Sequence, residues 1–169
     1  MRSLDILLEI GQQEKRYGEK EQLAAKKNAW YVEYINQMDT SEILPGVLPF
    51  LDELRAAGIK IALGSASKNA RIILERVALT DYFDVIVDGN LVSKAKPNPE
   101  VFALSASLLN TAPQNAVVFE DAQAGIEAAL RAEMTAIGVG DPHILAAAHH
   151  VIPGFTAFNL DKLLYVLAN

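Results

Sequence analysis

Residues 116–130, "AVVFEDAQAGIEAAL", run from apolar residues through two adjacent carboxylates into an alanine-rich segment. The apolar residues up to Phe119 predict a buried strand, and those from Ala124 onward predict a helix that returns along it. Between the two, Glu120 and Asp121 repel each other and are costly to desolvate, so they need a cation, a proton or strong hydrogen bonds. This stretch therefore predicts a strand followed by a helix, with a functional site at the carboxyl end of the strand.

The same alternation of strands and helices continues on both sides of this unit. The pattern predicts strands at residues 59–65, 83–88, 116–121 and 135–140, helices at 47–57, 69–77, 99–109 and 124–132, and a tail with a short strand at 149–153 and a helix at 160–167. Alternation of this kind is typical of parallel sheets covered by helices. We therefore expect an α/β fold with a Rossmann-like parallel sheet flanked by helices.

The first part of the chain has a helical pattern instead. Leu4, Leu7 and Leu8 recur at helical spacing, and a second helix is predicted from about residue 19 to residue 38. Lys27 lies in the middle of an apolar stripe on that second helix, which contains Leu23, Trp30, Tyr31, Tyr34 and Met38. Pro45 and Gly46 mark the predicted boundary, which gives a helical part, residues 1–44, and an α/β domain, residues 45–169.

Composition narrows the classes of function. The 169 residues suit one domain with a small appendage, and a net charge of −6 argues against nucleic acid as the main partner. The absence of cysteine excludes thiol chemistry, and no apolar run has the length of a signal peptide or a membrane span. The histidines, His143, His149 and His150, are predicted to lie at the surface rather than in a metal site. We expect a cytoplasmic protein without a membrane partner.

Ligands of parallel sheets bind beyond the carboxyl ends of the strands, and two of these ends carry phosphate-binding groups. In "IALGSASKN", Ser65 and Ser67 offer hydroxyls and backbone N–H groups to a phosphate; taken alone, the stretch favours the alternative that Ser67 or Asn69 is an ordinary helix N-cap. In "SKAKPNPEVF", Lys96 precedes Pro97, and Pro99 is predicted as the first helical residue. A solvated surface lysine is the alternative interpretation of Lys96.

The third polar strand end is the carboxylate pair. Mg²⁺ binds one or two protein carboxylates together with waters and phosphate oxygens, and Glu120 with Asp121 would supply those carboxylates. The alternative is that Asp121 is a helix N-cap and Glu120 its solvated neighbour. Taken together, the three strand ends predict a site for phosphate and a metal ion, in which Lys96 balances anionic charge.

These motifs resemble those of the haloacid dehalogenase superfamily of phosphotransferases, which use an aspartate nucleophile. Ser65 in "IALGSAS" matches its second motif, Lys96 in "KPNPEVF" its third, and Glu120 with Asp121 in "VFEDAQAG" its fourth. More narrowly, "GSASKN" and "AAKKNAWYVEYI" resemble the β-phosphoglucomutase family, which interconverts β-glucose 1-phosphate and glucose 6-phosphate through a bisphosphate.

The resemblance implies a role for each of these positions. It makes Lys96 catalytic, makes Glu120 and Asp121 the ligands of Mg²⁺, and makes residues 1–44 part of a helical cap domain. A sugar phosphate would be the ligand, contacted by Ser65, Ala66, Lys68 and Asn69 from the sheet and by Lys27 from the cap. For Lys27, a lysine extending along the edge of a packed helix is the alternative interpretation.

The chain departs from the family at its first motif. That motif is an apolar strand ending in Asp-x-Asp, and this sequence contains no Asp-x-Asp; in "DVIVDG", the nearest imitation, Asp84 and Asp88 stand four residues apart. In the superfamily the missing strand is central, between the strands that end near Ser65 and Glu120. Without it, both strands would expose apolar edges and invite self-association.

Three explanations for the missing motif stay open: truncation at the N-terminus, a genuine short protein, or another polypeptide that supplies the strand. We expect truncation, and we expect the chain alone to be inactive. The complete protein would be a β-phosphoglucomutase-type enzyme, and the alternatives are a sugar-phosphate phosphatase and a non-catalytic phosphate- or partner-binding remnant.

Overall fold

A computed structural model describes Gly11 and residues 17–168 of the chain. The chain forms two compact units, one ending at Met38 and the other beginning at Asp39. The short helix expected around Leu4, Leu7 and Leu8 lies outside the described residues, and the domain limits at residues 44 and 45 stay a prediction. None of the described helices is long and apolar enough to cross a membrane.

The first unit contains one described helix, α1 (Tyr17–Gln37). It confirms the helix expected at about residues 19–38. The aromatic members of the predicted stripe, Trp30, Tyr31 and Tyr34, are exposed. The ammonium of Lys26 lies 4.9 Å from the centroid of the Trp30 ring, a cation–π contact.

The second unit alternates strands with helices, which confirms the α/β fold. Its strands are β1 (Ala62–Gly64), β2 (Val85–Val87), β3 (Val117–Glu120), β4 (Thr135–Val139) and β5 (His150–Ile152). Its helices are α2 (Val47–Ala56), α3 (Ala70–Arg76), α4 (Glu100–Leu108), α5 (Gln123–Arg131) and α6 (Leu160–Ala168). Every pair of neighbouring strands is parallel, as expected when helices connect them.

The strands form two separate sheets, β1–β2 and β3–β4–β5. Gly64 lies opposite Val87 in the first sheet, and Glu120 lies opposite Gly138 in the second. Within the described part of the chain, β1 pairs with β2 and β3 with β4, so each has one edge without a partner strand. The two strands that carry the predicted phosphate and metal residues are therefore both edge strands.

Strand β3 is covered on both faces, because successive side chains of a strand point to opposite sides. Val118 belongs to the apolar core formed with α4 and α5, where Val101 and Ile126 are almost completely buried. Phe119 belongs to an aromatic cluster on the other face, with ring centroids 5.5 Å from Phe50, 5.5 Å from Phe155 and 5.8 Å from Phe158. This packing holds the carboxyl end of β3, and hence Glu120, in place.

Helix α4 begins one residue later than predicted. Pro99 is its N-cap and Glu100 its first residue, whereas Pro99 was expected to be the first helical residue. The Oδ1 of Asn98 accepts a hydrogen bond from the N–H of Glu100 at 3.0 Å. Asn98 therefore caps a helix N–H from one position further out than a standard N-cap residue.

Candidate active site

The loop at residues 65–69 follows β1 and is the predicted phosphate-binding segment. The N–H of Ser65 donates to the carbonyl of Val87 at 2.8 Å, which extends the pairing of β1 with β2 by one residue. Within the loop, the N–H of Ser67 donates to Ser65 Oγ and the N–H of Asn69 donates to Ser67 Oγ, both at 3.1 Å. A hydroxyl that accepts one such bond keeps its proton, so both serines retain a donor for a phosphate oxygen.

The side chains of this loop differ in exposure. Ser65 and Asn69 are half-buried, whereas Ala66 and Lys68 are exposed. Asn69 is the N-cap of α3 by position, but its side chain makes no capping hydrogen bond. Ser67 Oγ accepts its bond from the N–H of Asn69, which precedes the helix, so Ser67 shapes the loop and does not cap α3.

Lys96 connects the ends of the two edge strands. Its ammonium donates to the carbonyl of Gly64 at 3.2 Å and to Oε2 of Glu120 at 2.8 Å. It also lies 4.5 Å from the centroid of the Phe102 ring. The side chains of Lys96 and Glu120 are 17% and 10% exposed, so Lys96 is not the solvated surface lysine that the sequence left open.

Glu120 and Asp121 have different environments at the end of β3. Oε1 of Glu120 accepts a hydrogen bond from the N–H of Ala122 at 3.2 Å, while its Oε2 contacts Lys96. Asp121 is exposed, and Ala122 rather than Asp121 is the N-cap of α5. Glu120 is thus fixed by the protein, and Asp121 presents its carboxylate to solvent.

Asp84 and Asp88, the nearest imitation of the missing motif, lie before and after β2. Oδ2 of Asp84 accepts a hydrogen bond from the N–H of Ile61 at 2.7 Å. Asp88 is buried, and its Oδ2 lies 3.8 Å from Nε of Arg71. Neither residue is in hydrogen-bond contact with Lys96 or Glu120, so the structure does not bring them into the cluster around Lys96.

The remaining predicted positions lie elsewhere. Lys27 is exposed on α1, in the first unit, and its contact with a sugar phosphate stays a prediction. His143 and His149 are exposed, and Nδ1 of His149 accepts a hydrogen bond from the N–H of Ala136 at 3.0 Å. Residues 17–168 contain no group of three or more His, Cys, Asp or Glu side chains placed to hold a metal ion.

The segment before Lys96 is held by a carboxylate. Glu100 accepts hydrogen bonds from the N–H of Ser93 at 3.1 Å and from the N–H of Lys94 at 2.7 Å. These backbone donors, Ser93 first and then Lys94, hold the pKa of Glu100 below its ordinary value. The charge of Glu100 therefore fixes the backbone just before Lys96.

Sequence reasoning missed two residues that shape the site. The Phe102 ring lies under the Lys96 ammonium, and Gly125 leaves room for the Glu120 side chain: a β-carbon there would lie 2.0 Å from Cδ of Glu120. The available signals were an aromatic residue one turn into the helix after "KPNP" and a glycine inside the alanine-rich segment. Glycine inside a helix is unfavourable and calls for such a reason.

Comparison with known proteins places these features in a family. Residues 6–139 match the model of the haloacid dehalogenase-like hydrolase family. The chain is 37% identical over 163 residues to a β-phosphoglucomutase of Bacillus subtilis, which covers 95% of this chain and 72% of that protein. It is 40% identical over 94 residues to a phosphorylated carbohydrates phosphatase of Thermotoga maritima, covering 53% of this chain and 44% of the relative.

A solved structure has the same fold. The crystal structure of a β-phosphoglucomutase from Clostridium difficile superposes with a TM-score of 0.91 at 37% identity, over 99% of this chain and 76% of that one. The family match and the extent of the similarity to the Bacillus subtilis protein confirm the resemblance to this superfamily. The chain belongs to the haloacid dehalogenase-like hydrolase family.

Proposed function

We propose that this chain is the phosphate- and metal-binding part of a β-phosphoglucomutase-type phosphotransferase, which converts β-glucose 1-phosphate to glucose 6-phosphate when an Asp-x-Asp strand is present. The observation that carries this proposal is the double contact of Lys96 with Gly64 and Glu120. Gly64 directly precedes the predicted phosphate loop, and Glu120 is one of the two predicted metal ligands. Similarity to the β-phosphoglucomutases of Bacillus subtilis and Clostridium difficile supports the same reaction.

In this proposal each group of site residues has a separate role. The serine hydroxyls of the 65–69 loop donate to phosphate oxygens, and the Lys96 ammonium balances the charge of the transferred group. Because Glu120 and the Phe102 ring hold Lys96 in place, its charge is preorganised before a substrate arrives. The proposed ligands of the sugar phosphate in the second unit are Ser65, Ala66, Lys68 and Asn69, and a contact from Lys27 stays a prediction.

The carboxylate pair fits Mg²⁺. Mg²⁺ in phosphoryl-transfer sites is held by one or two carboxylates and completes its coordination with waters and substrate phosphate, so a pair is sufficient. Asp121 is exposed and available, and Glu120 is fixed beside it by Lys96 and the N–H of Ala122. When bound, the ion supplies positive charge to the phosphate oxygens.

The chain alone lacks the group that accepts the phosphoryl. Covalent catalysis by an aspartate needs that carboxylate, and the sequence contains no Asp-x-Asp. Ser65 and Lys96 can bind and polarise a phosphate but cannot receive the transferred group. We therefore propose that the chain by itself is inactive, and that the unpaired edges of β1 and β3 promote its self-association.

A coupled assay of glucose 6-phosphate formation tests the proposal. The protein is assayed with Mg²⁺ and β-glucose 1-phosphate as the chain alone, as a longer chain carrying an N-terminal Asp-x-Asp strand, and as the same longer chain with the first Asp replaced by Asn. We expect turnover above background only from the longer chain with both aspartates. Metal-dependent turnover by the chain alone would contradict the proposal and would point to Asp84, Asp88 or Asp121 as the nucleophile.

A sugar-phosphate phosphatase is the second candidate, favoured by the similarity to the phosphorylated carbohydrates phosphatase of Thermotoga maritima. The two functions differ in what accepts the phosphoryl group from the aspartate: a sugar hydroxyl or water. Release of inorganic phosphate by the longer chain, without formation of glucose 6-phosphate, would favour the phosphatase. Phosphate binding without either product would favour a non-catalytic protein.

A further inference from the structure

Asp88 is a buried carboxylate that the proposed reaction does not use. It is 3% exposed and follows β2 directly. Its Oδ1 accepts a hydrogen bond from the N–H of Asn90 at 2.9 Å, and its Oδ2 lies 3.8 Å from Nε of Arg71. Burying a carboxylate is costly unless it is paired or hydrogen-bonded, so these contacts fix a tight turn at residues 88–90.

The 88–90 turn lies against the back of the 65–69 loop. The N–H of Gly89 donates to the carbonyl of Ser67, and Nδ2 of Asn90 donates to the carbonyl of Lys68, both at 3.1 Å. The two segments are also in close van der Waals contact, because a β-carbon at Gly89 would lie 2.4 Å from the carbonyl oxygen of Ala66. The 88–90 turn thus contacts the backbone of three consecutive loop residues, Ala66, Ser67 and Lys68.

A third connection holds the start of the following helix. Nη2 of Arg71, in the first turn of α3, donates to the carbonyl of Ile86 at 3.3 Å, and its Nε faces Asp88. The first residue of the loop is therefore bonded to β2 through the N–H of Ser65, and its middle is bonded to the 88–90 turn. The helix after the loop is bonded to β2 through Arg71.

These contacts control which groups of the loop remain for a ligand. In a trans peptide the carbonyl and the next N–H point in opposite directions. Because the carbonyl of Ser67 is directed toward the turn, the N–H of Lys68 is directed away from it, whereas the N–H of Asn69 is already bonded to Ser67 Oγ. A loop held in this way presents donors rather than acceptors on its free side, which suits an anion.

We propose that the 88–90 turn is a positioning element that fixes the backbone of the 65–69 loop in the conformation that binds phosphate. The identity of the ligand rests on the proposed function, whereas the hold of the turn on the loop does not. Asn90 is the residue to test, because it is exposed and its amide reaches the loop through one hydrogen bond. Its replacement leaves the core intact.

The test compares Asn90→Ala with Asn115→Ala, a control at another exposed asparagine, in a short helical turn far along the chain. Amide hydrogen exchange of residues 66–69 is measured by NMR, and the same amides are followed during titration with inorganic phosphate. For Asn90→Ala we expect faster exchange and phosphate affinity about three- to tenfold weaker, the effect of losing one positioning hydrogen bond. Asn115→Ala should match the wild type in both.

Titration with Mg²⁺ distinguishes a positioning role of Asn90 in phosphate binding from a general effect on the structure. Glu120, at the end of β3, accepts its hydrogen bonds from Lys96 and Ala122, so Mg²⁺ affinity should stay unchanged in Asn90→Ala while phosphate affinity falls. Equal loss of both affinities would overturn the proposal, as would unchanged exchange and unchanged phosphate binding. Absence of phosphate binding in the wild type would defeat the proposed function, and the exchange comparison would still decide whether the turn holds the loop.

Gly89→Ala provides a second variant that acts on the same contact by a different route. Its β-carbon must displace the carbonyl of Ala66, whereas alanine at Gly18 meets nothing within 4 Å and serves as the matched control. We expect Gly89→Ala to shift the amide resonances of residues 66–69 and to weaken phosphate binding, and Gly18→Ala to do neither. Wild-type shifts and affinity in Gly89→Ala would contradict the inferred role.

Discussion

The side chain of Glu120 occupies the space that a side chain at Gly125 would fill: a β-carbon on Gly125 would lie 2.0 Å from Cδ and 2.3 Å from Oε2 of Glu120. The carboxylate is thereby enclosed between helix α5 and the ammonium of Lys96, which is 2.8 Å away. The absence of a side chain at Gly125 is therefore a condition for the ion pair at the centre of the candidate site.

Gly125→Ala should disturb the site without unfolding the protein. Alanine favours a helix over glycine by about 1 kcal/mol, which offsets part of the cost of separating Glu120 from Lys96, so we expect a net loss of about 1 kcal/mol. The Glu120 carboxylate must move, and we expect Mg²⁺ affinity to fall by about tenfold through loss of one fixed charged ligand. Calorimetric titration with Mg²⁺ and urea unfolding measure the two effects. Gly18→Ala is the control, and unchanged Mg²⁺ affinity in Gly125→Ala would contradict the prediction.

Lys96→Met should destabilise the chain by about 2 kcal/mol, because the Glu120 side chain, which is only 10% exposed, loses its ammonium partner. Urea unfolding measures the loss. The matched control is Glu127→Gln, which removes the exposed ion pair with Arg131 and should cost less than about 0.5 kcal/mol. Adding Glu120→Gln to Lys96→Met should restore part of the stability. A double variant no more stable than Lys96→Met would show that the uncompensated charge is not the cause.

Gly46→Ala should be destabilising for two separable reasons. Gly46 has φ +85°, and a β-carbon there would lie 2.2 Å from the carbonyl oxygen of Phe155. Gly58 has φ +70° with nothing within 4 Å of its β-carbon position, so Gly58→Ala measures the backbone strain alone. We expect about 1 kcal/mol for Gly58→Ala and at least about 2 kcal/mol for Gly46→Ala. If Gly46→Ala and Gly58→Ala lose the same stability in thermal or urea unfolding, the Phe155 backbone shifts without an energetic penalty.

The contribution of Glu100 should depend on pH. Its pKa in the folded protein lies below the ordinary value of 4.5, chiefly because Ser93 and then Lys94 donate backbone hydrogen bonds to the carboxylate. The stability that it contributes is therefore present above the pKa of the unfolded state and is lost as the pH falls through the folded pKa. We expect Glu100→Gln to lower the urea midpoint at about pH 7 and to have a smaller effect at about pH 3.

Glu75→Gln, at an exposed position on α3, is the control for this pH dependence. An effect of Glu100→Gln that is equal at both pH values would show that the charge of Glu100 does not hold the segment before Lys96. NMR titration of the Glu100 carboxyl gives an independent check, since its midpoint must lie below the ordinary range.

The sequence predicted the order and type of the elements in residues 39–168 because those signals are local. For example, a strand was predicted at residues 116–121, and β3 lies within that range and ends at Glu120. Strand limits were less predictable. β1 begins at Ala62 rather than residue 59, since the N–H of Ile61 donates to the Asp84 side chain instead of extending the ladder.

Contacts within the site depend on tertiary packing and had to come from the structure. Lys96 and Glu120 are 24 residues apart in sequence, and their 2.8 Å contact arises because α4, which follows Lys96, shares a core with β3, which ends at Glu120. The hold of Asn90 on the 65–69 loop depends on the register that sets Gly64 opposite Val87. A single sequence predicts strand ends, but no local pattern gives the register that brings two of them together.

Among the described strands, no backbone pairing joins the two sheets, and this bears on how the second unit unfolds. The β1–β2 ladder can open without breaking a strand hydrogen bond of β3–β4–β5, so the two are separate candidates for local opening. Helix α4 joins them through side chains, since Val101 and Phe102 lie against Gly64 of β1 and share a core with Val118 of β3. Cooperativity of unfolding therefore depends on side chains, those of α4 and Lys96 among them, and β4, which is paired on both edges, should retain its amide protons longest.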